Sequence, residues 1–388
     1  MIMYIFNFLN VKKIVLYLGR KSVDKIITNN YQMKKIVFVG KGKPCPYVSL
    51  LPFYLLTLLP FSLFSQTDST RYCIAFYNVE NLFDPENDPD KNDDAFTPSG
   101  FYHWTYKRYN KKLNDIAKVF LSINGWAPPD VIGLAEIENA NVLSKLCYAT
   151  GLKAYQYRYV HYDSPDVRGV DVGFLYRSDR VTIVESCPIP VVFPFEPNTK
   201  NRDILYVKAL IAEDTLHLFV NHWTSRFGGY GATIPKRNYY AQLLRNKADS
   251  LLALNSNANI IMMGDLNDYP TDESLTTYLQ AKNFKKEAHE GTLFNLMFSI
   301  IEDGKNRGTH KTQEFWGCLD QFIVSKSLLN IENKWHIENN SAVIFDAPFL
   351  LTEDEKFGGV KTYRTYLGPK YLGGYSDHLP VKILLVRN

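Results

Sequence analysis

Residues 66–388 are predicted to fold as one α/β domain, and three observations carry that reading. Short apolar, β-rich runs alternate with amphipathic helical stretches. No repeat or linker interrupts them. Strand after strand ends in a polar residue that has no packing role: Asn78, Glu136, Asn221-His222, Asp265-Asn267, Asp320 and Asp377-His378. Of the 388 residues, 46% are hydrophobic and 14% aromatic, ample for a large core and inconsistent with a disordered or collagen-like chain.

The elements follow in order. RYCIAFYNV (71–79) alternates as a strand does, and DPENDPDKNDDAFTPSG (84–100) must be loop. That loop has the acids of a calcium site but not the spacing of a known one, so it is expected to be solvated. In 106–123, Leu113, Ile116, Val119, Phe120 and Ile123 recur at helical spacing, with Lys107, Arg108, Lys111 and Lys112 on the other face. A buried strand is predicted within 128–139, with Asn139 capping a helix over 140–149. Further strands are expected at 170–177, 204–212, 216–223, 258–268, 319–325 and 379–386, and a helix at 236–254.

The first 65 residues differ. Lys41 and Lys43 precede an uncharged apolar run from Val48 to Phe64, followed by Ser65 and Gln66, the pattern of a secretory signal. An uncleaved anchor is the alternative, although the run holds Pro52 and Pro60 and is slightly short to span a bilayer. Met33-Lys34-Lys35 resembles a natural signal start, which would make 1–32 a misassigned beginning. The expected product is exported, periplasmic or extracellular, and touches a membrane only through an uncleaved leader.

Net charge depends on that leader. The whole chain is +4, but residues 1–65 hold nine Lys/Arg and one acid, leaving 35 basic and 39 acidic side chains, net −4. A mildly acidic domain binds polyanions only through a local patch or a metal. Lys107, Arg108, Lys111, Lys112 and Arg226 are candidates for such a patch, and Tyr109, Tyr239 and Tyr240 for stacking on bases. The cysteines beyond the leader, Cys73, Cys147, Cys187 and Cys318, form no CxxC pair, so no zinc site is spelled.

Within GDLND, Asp265 and Asn267 follow a strand and are expected to share a face by alternation; together they suit a hard cation, a phosphate oxygen or a water. A plain Asx-rich turn is the bland alternative. Of Glu136 and Glu138, Glu136 lies nearer its strand. Asn78 interrupts an apolar strand and needs an internal partner. Asp320, inside an apolar strand, wants a donor, and His378 is the obvious one; such a pair fixes the imidazole tautomer and raises its basicity. Asp171 is expected to orient His222 in the same way, with a salt bridge as the competing reading. Arg226 and Arg168 are candidate phosphate grips.

In this order, N-V-E-N, A-E, N-H, G-D-L-N, L-D-Q and S-D-H, the chain resembles the endonuclease/exonuclease/phosphatase superfamily, typified by deoxyribonuclease I, exonuclease III, neutral sphingomyelinases and inositol polyphosphate 5-phosphatases. The resemblance spans 71–386. It implies a four-layered α/β sandwich, with two mixed β-sheets face to face and helices outside. It implies Glu136, Asn78 and Asp377 at the metal end, Mg²⁺ as cofactor with Mn²⁺ or Ca²⁺ as alternatives, and Asp265 and Asn267 holding water and phosphate. It also implies an Asp320–His378 pair that activates water, and His222 as the second histidine, which the repair branch usually lacks. The expected function is a secreted, metal-dependent nuclease, with nucleic acid as partner and no stable protein partner. The alternatives are a phosphodiesterase or phosphatase on lipid head groups, inositol phosphates or nucleotides, and a non-catalytic binding protein.

Overall fold

The central strands are apolar on both faces, and both faces are covered. The structure, a computed structural model, describes residues 70–283, 289, 291–302 and 307–388, with the backbone of 2–4 and 38–40. Ile2–Tyr4 pairs antiparallel with Phe38–Gly40. These strands belong to a unit, Met1–Thr67, distinct from Asp68–Asn388. The signal-like run at 48–64 lies outside the described residues.

Strands of the two large sheets are β1 (Arg71–Leu82), β2 (Val131–Ile137), β3 (Tyr157–His161), β4 (Asp171–Arg177), β5 (Val181–Ile189), β6 (Ile204–Ile211) and β7 (Asp214–His222). They continue as β8 (Ile260–Asp265), β9 (Ala281–Lys282), β10 (Leu293–Asn295), β11 (Asp320–Ser325), β12 (Trp335–Ile337), β13 (Val343–Ile344) and β14 (Val381–Arg387). The main helices are α1 (Tyr106–Ser122), α2 (Ala140–Tyr148) and α3 (Tyr230–Leu254). One sheet runs β12-β14-β1-β2-β4-β3, with β13 also on β14, and the other runs β9-β10-β11-β8-β7-β6-β5. Both are mixed: β1–β2 and β7–β8 are parallel, and their outer neighbours antiparallel.

Alternation divides each strand between two cores. Ile74, Phe76, Val131, Ala135, Val172 and Phe174 of the first sheet meet Val207, Leu218, Val220, Ile261, Met263 and Phe322 of the second. The opposite face of the first sheet (Tyr77, Ile132, Leu134, Leu175) is covered by Leu113, Ile116 and Phe120 of α1 and Leu143 and Leu146 of α2. Likewise Phe219, Ile260, Met262 and Ile323 lie under Tyr240, Ala241, Leu244 and Ala248 of α3. Four layers result, as the resemblance implies. At Gly133, in the middle of β2, an added Cβ would lie 2.7 Å from Met263 Sδ and 3.1 Å from Phe76 Cδ2. Only glycine lets the two sheets approach there.

Packing also decides several sequence readings. Asn139 caps α2, its side chain accepting from Val142 N at 2.9 Å. Half of the basic face of α1 is spent inside the protein: Lys112 is buried and donates to Tyr375 O and Thr365 Oγ1, and Arg108 donates to Tyr102 O and His103 O, while Lys107 and Lys111 stay exposed. Tyr109 and Tyr240 are core residues, so neither stacks on a base. Nor is the 84–100 loop wholly solvated, because Asp84 and Asp93 are buried in it. The four cysteines 73, 147, 187 and 318 are free thiols.

Candidate active site

Strand register brings the polar strand ends together. Asp265, last in β8, lies opposite His222 of parallel β7 and Asp320 of antiparallel β11. In the other sheet Asn78 lies opposite Ala135, one residue before Glu136. The β2–β4 register shifts between Ala135 and Ile137, and Glu136 sits in that bulge at φ 64°. A left-handed glutamate costs on the order of 1–2 kcal/mol, and the bulge turns its carboxylate across to the second sheet.

Asp265 Oδ2 is the hub. It accepts from Asn78 Nδ2 at 3.0 Å and lies 3.7 Å from both His222 Nε2 and His378 Nε2. His378 Nδ1 is 2.8 Å from Asp320 Oδ2, the pairing expected from sequence. Ser376 fixes the segment: it accepts from His378 N at 3.0 Å and donates to Asn78 O at 2.7 Å. Glu136 Oε2 accepts from Asn81 N at 2.8 Å, and Oε1 lies 3.4 Å from Asn78 Nδ2 and 3.9 Å from His222 Nε2.

Electrostatics separates these groups. Burial raises the Asp265 carboxyl, and neighbouring Asp320 adds to the rise, to about 7. Burial pulls His378 down, but Asp320, Asp265 and Asp377 outweigh it and hold the imidazole well above its usual value. His222 moves the other way: burial, then Arg202 and Arg168, push it well below 6.5. His378 therefore holds its proton here. Asp265 is raised towards neutrality, as is Glu80, which burial and then Asp377 push up to about 7.

Other expectations change as well. Asp171 does not orient His222: it accepts from Ser164 N at 3.0 Å and Ser164 Oγ and faces His161 Nε2 at 3.1 Å. Among the described residues His222 Nδ1 has no protein partner. Arg226 is not a free phosphate grip, since it binds Asn267 O at 2.7 Å, Asp268 at 3.1 Å and Asp272 at 2.6 Å. Arg168 stays half-exposed beside Asp166, with 3.7 Å between charged atoms. Asn267 adopts φ 52°, which breaks the alternation argument, and its Nδ2 donates to Trp223 O at 3.1 Å. Asp377 is held by Arg364 Nη2 at 2.9 Å, so one of its oxygens is already engaged.

Sequence reasoning missed Arg364 and His310. Arg364 ties Asp377 to Glu80, its Nε donating to Glu80 Oε1 at 3.0 Å. His310 bridges to His378 in the backbone, with ring centroids 4.8 Å apart. Neither sits at the end of an apolar strand, so no local pattern marks it. Glu80 was visible beside Asn78, and its φ of 50° places its carboxylate over Thr365 N at 2.7 Å.

A family model described as Endonuclease/Exonuclease/phosphatase family matches residues 73–387. The chain belongs to this family. Its members are phosphoester hydrolases, and the fold agrees. An endonuclease/exonuclease/phosphatase family protein of Bacteroides thetaiotaomicron superposes with TM-score 0.52 at 18% identity, covering 82% of this chain and 98% of that one. A mannosyl-6-phosphatase of the same organism gives 0.50 at 18%, over 81% and 99%. A humanized D. rerio TDP2 gives 0.50 at 16%, over 81% and 98%. No curated protein matches the sequence.

The donor set of this family member fits the divalent cation that the resemblance implies. Glu136 and Asp265 offer carboxylate oxygens at one rim, and their ion pairs among the described residues are with histidines rather than Lys or Arg. A tighter group of ligating atoms, Asp265, Asp320 and His378, lies within 4.8 Å. The ligating atoms of His310, Asp377 and His378 form a second such group.

Proposed function

We propose that this chain is a divalent-metal-dependent phosphodiesterase that cleaves nucleic acid as an exported nuclease. The observation that supports it most is the convergence on Asp265 Oδ2 of Asn78 from one sheet and two imidazoles of opposite charge tendency. Glu136, with Asn78 beside it, would hold Mg²⁺. Bound there, the ion would neutralise phosphate charge and stabilise the leaving oxygen.

The chain's own groups do the rest. Asp265 Oδ2, titrating near 7, accepts the proton of the attacking water. His378, protonated and steadied by Asp320, donates a hydrogen bond from Nε2 to a non-bridging phosphate oxygen. His222, neutral, positions water or the leaving group through Nε2. Such proton-handling groups are typically worth ~10²–10⁴-fold each.

A second reading is favoured by one observation: the rim arginines are spent on carboxylates. Arg226, Arg364 and Arg202 all form ion pairs within the protein, and Lys112 of α1 is buried. Little positive surface is left to follow a long polyanion, which suits a small phosphoester, and a phosphatase stands among the structural neighbours. The deciding experiment assays the chain from residue 66 onward with Mg²⁺ on plasmid DNA, RNA, bis-p-nitrophenyl phosphate, inositol phosphates and sugar phosphates. Mg²⁺-dependent cutting of DNA or RNA, abolished by EDTA, supports the nuclease. Turnover confined to small phosphomonoesters replaces it with the second reading, and no EDTA-sensitive turnover of any of these overturns both.

A further inference from the structure

The loop after β7 carries Phe227, the most exposed large apolar side chain among the described residues, at 92%. A lone exposed ring calls for no explanation, but this one tops a loop that is pinned in place. Its neighbour Arg226 donates to Asn267 O at 2.7 Å and to the carboxylates of Asp268 and Asp272 at 3.1 and 2.6 Å. Phe227 N donates to Ser225 Oγ at 3.3 Å, and Gly229 N to Arg226 O at 3.2 Å. The turn closes through Gly228 and Gly229 at φ 86° and 117°, a conformation that favours glycine.

Nor is the ring alone. The Arg226 guanidinium lies over the Tyr269 ring at 4.1 Å and over the Tyr230 ring at 4.7 Å. Fully buried Arg237 reaches the same Tyr230 ring at 5.2 Å. Tyr230 is 43% exposed, and Tyr269 is half-buried. Tyr269 packs on Gly317, where an added Cβ would lie 2.5 Å from its Cε1. The segments that present these rings also carry the hydrolytic groups. Phe227 follows His222 on one loop, and Tyr269 follows Asp265 on another. Gly317 pairs with His310, which bridges to His378.

We propose that Phe227 and Tyr269, backed by Arg226 and Tyr230, form a base-stacking subsite, and that the substrate is single-stranded nucleic acid. This rests on the nuclease reading and names its substrate class. Charge decides the occupant. The cation of the stack is neutralised by Asp268 and Asp272, so it offers a phosphate chain little attraction, whereas its flat rings suit an unpaired base. A duplex hides its base faces and is held through its phosphates, for which the rim has no free row of arginines. A single strand exposes those faces, and stacking on rings already fixed in place costs little ordering.

The test compares the full chain with Phe227→Ala, Phe227→Tyr and Phe227→Leu. The substrates, with Mg²⁺, are single-stranded DNA and RNA oligonucleotides, the matching duplexes, and an abasic strand of equal length. Expected is a preference for the single strand over both duplex and abasic strand. Phe227→Ala should raise KM for the single strand about tenfold or more and erase its advantage over the abasic strand. Phe227→Tyr should restore that advantage, and Phe227→Leu, apolar without a ring, should not. A second arm needs no turnover: in EDTA, the fluorescence added by Phe227→Trp should be quenched by the oligonucleotide and not by the abasic strand. Quenching without any cleavage of nucleic acid supports the subsite and sinks the hydrolytic reading. Cleavage that prefers the duplex, or that Phe227→Ala leaves unchanged, overturns the subsite and spares the nuclease. Quenching by a sugar phosphate but not by the oligonucleotide puts a sugar ring there, and a dimer that Phe227→Ala dissolves puts a second copy there; either overturns the proposal. Neither quenching nor cleavage overturns both.

Discussion

His378 and His222 approach the same oxygen, Asp265 Oδ2, each from 3.7 Å, yet one imidazole keeps its proton and the other sheds it. Burial acts against the charge on both. What differs is the far nitrogen and the surrounding charge. His378 Nδ1 meets the Asp320 carboxylate at 2.8 Å, with Asp377 nearby. Among the described residues His222 Nδ1 meets no protein group, and Arg202 donates to the His222 carbonyl at 3.0 Å, placing a cation beside the ring. The lesson is that proximity to a shared carboxylate does not set an imidazole's charge; its other partner does.

The comparison breaks most completely at His378. His378→Ala should lower kcat by ~10²–10⁴-fold. It also strands Asp320 in the core, at a cost of about 3–5 kcal/mol, so circular dichroism and a melting curve must accompany the kinetics. Undiminished hydrolysis would remove His378 from the mechanism. Asp320→Asn is the cleaner version: the imidazole stays, its pull is gone, and its titration by NMR should move towards His222's. An unmoved titration would mean that Asp320 does not hold the proton. Next in size, His222→Gln should lower kcat by roughly 10²-fold.

The pH dependence sharpens the contrast. With Asp265 titrating near 7, kcat/KM should fall as pH drops below about 7, and a flat profile down to pH 5 would exclude Asp265 as base. Stability carries the His222 signature. Its folded value lies below the ordinary 6.5, so its contribution is complete above pH 6.5 and declines as pH falls towards the folded value. Tm measured against pH should show that acid-side loss, and His222→Gln should flatten it. The smallest effect is expected at Asp171. Asp171→Asn should cost about 1–3 kcal/mol through Ser164 and His161 while leaving kcat intact; a large fall in kcat would restore its link to His222.

Most of the architecture was legible because apolar alternation reports burial directly. Strands β1, β2, β4, β6, β7, β8, β11 and β14 and helices α1 and α2 fall where the pattern places them, within a few residues at the ends. Strand β5 escaped because VTIVESCPI at a sheet edge is mostly part-buried or exposed and reads as mixed polarity. Helix α3 begins at Tyr230, earlier than expected, because its first two turns run through Gly231 and Pro235, residues disfavoured inside helices.

The rim was legible for a related reason. A polar residue at the end of a buried strand has no packing role, so Asn78, Glu136, Asp265 and Asp320 announce themselves. What sequence cannot show is which partner each side chain chooses. Asp171 turns to a serine and a histidine close to it in the chain, while Arg226 is absorbed by acids some 40 positions on. Arg364 and His310 reach the site only because loops fold back across the rim. The same limit applies to the 84–100 loop, where acidic composition suggested solvent and tertiary packing buried Asp84 and Asp93.

Gly133 has a bearing far from where it sits. Asn78 and Glu136 ride on one sheet while Asp265, Asp320 and His222 ride on the other, so the gap between the two stacks is the gauge of the whole centre. A single methyl at Gly133, meeting Met263 Sδ at 2.7 Å, acts as a shim. It would cost about 1–3 kcal/mol of overpacking, and it would pry the two carboxylate-bearing edges apart without touching any of them.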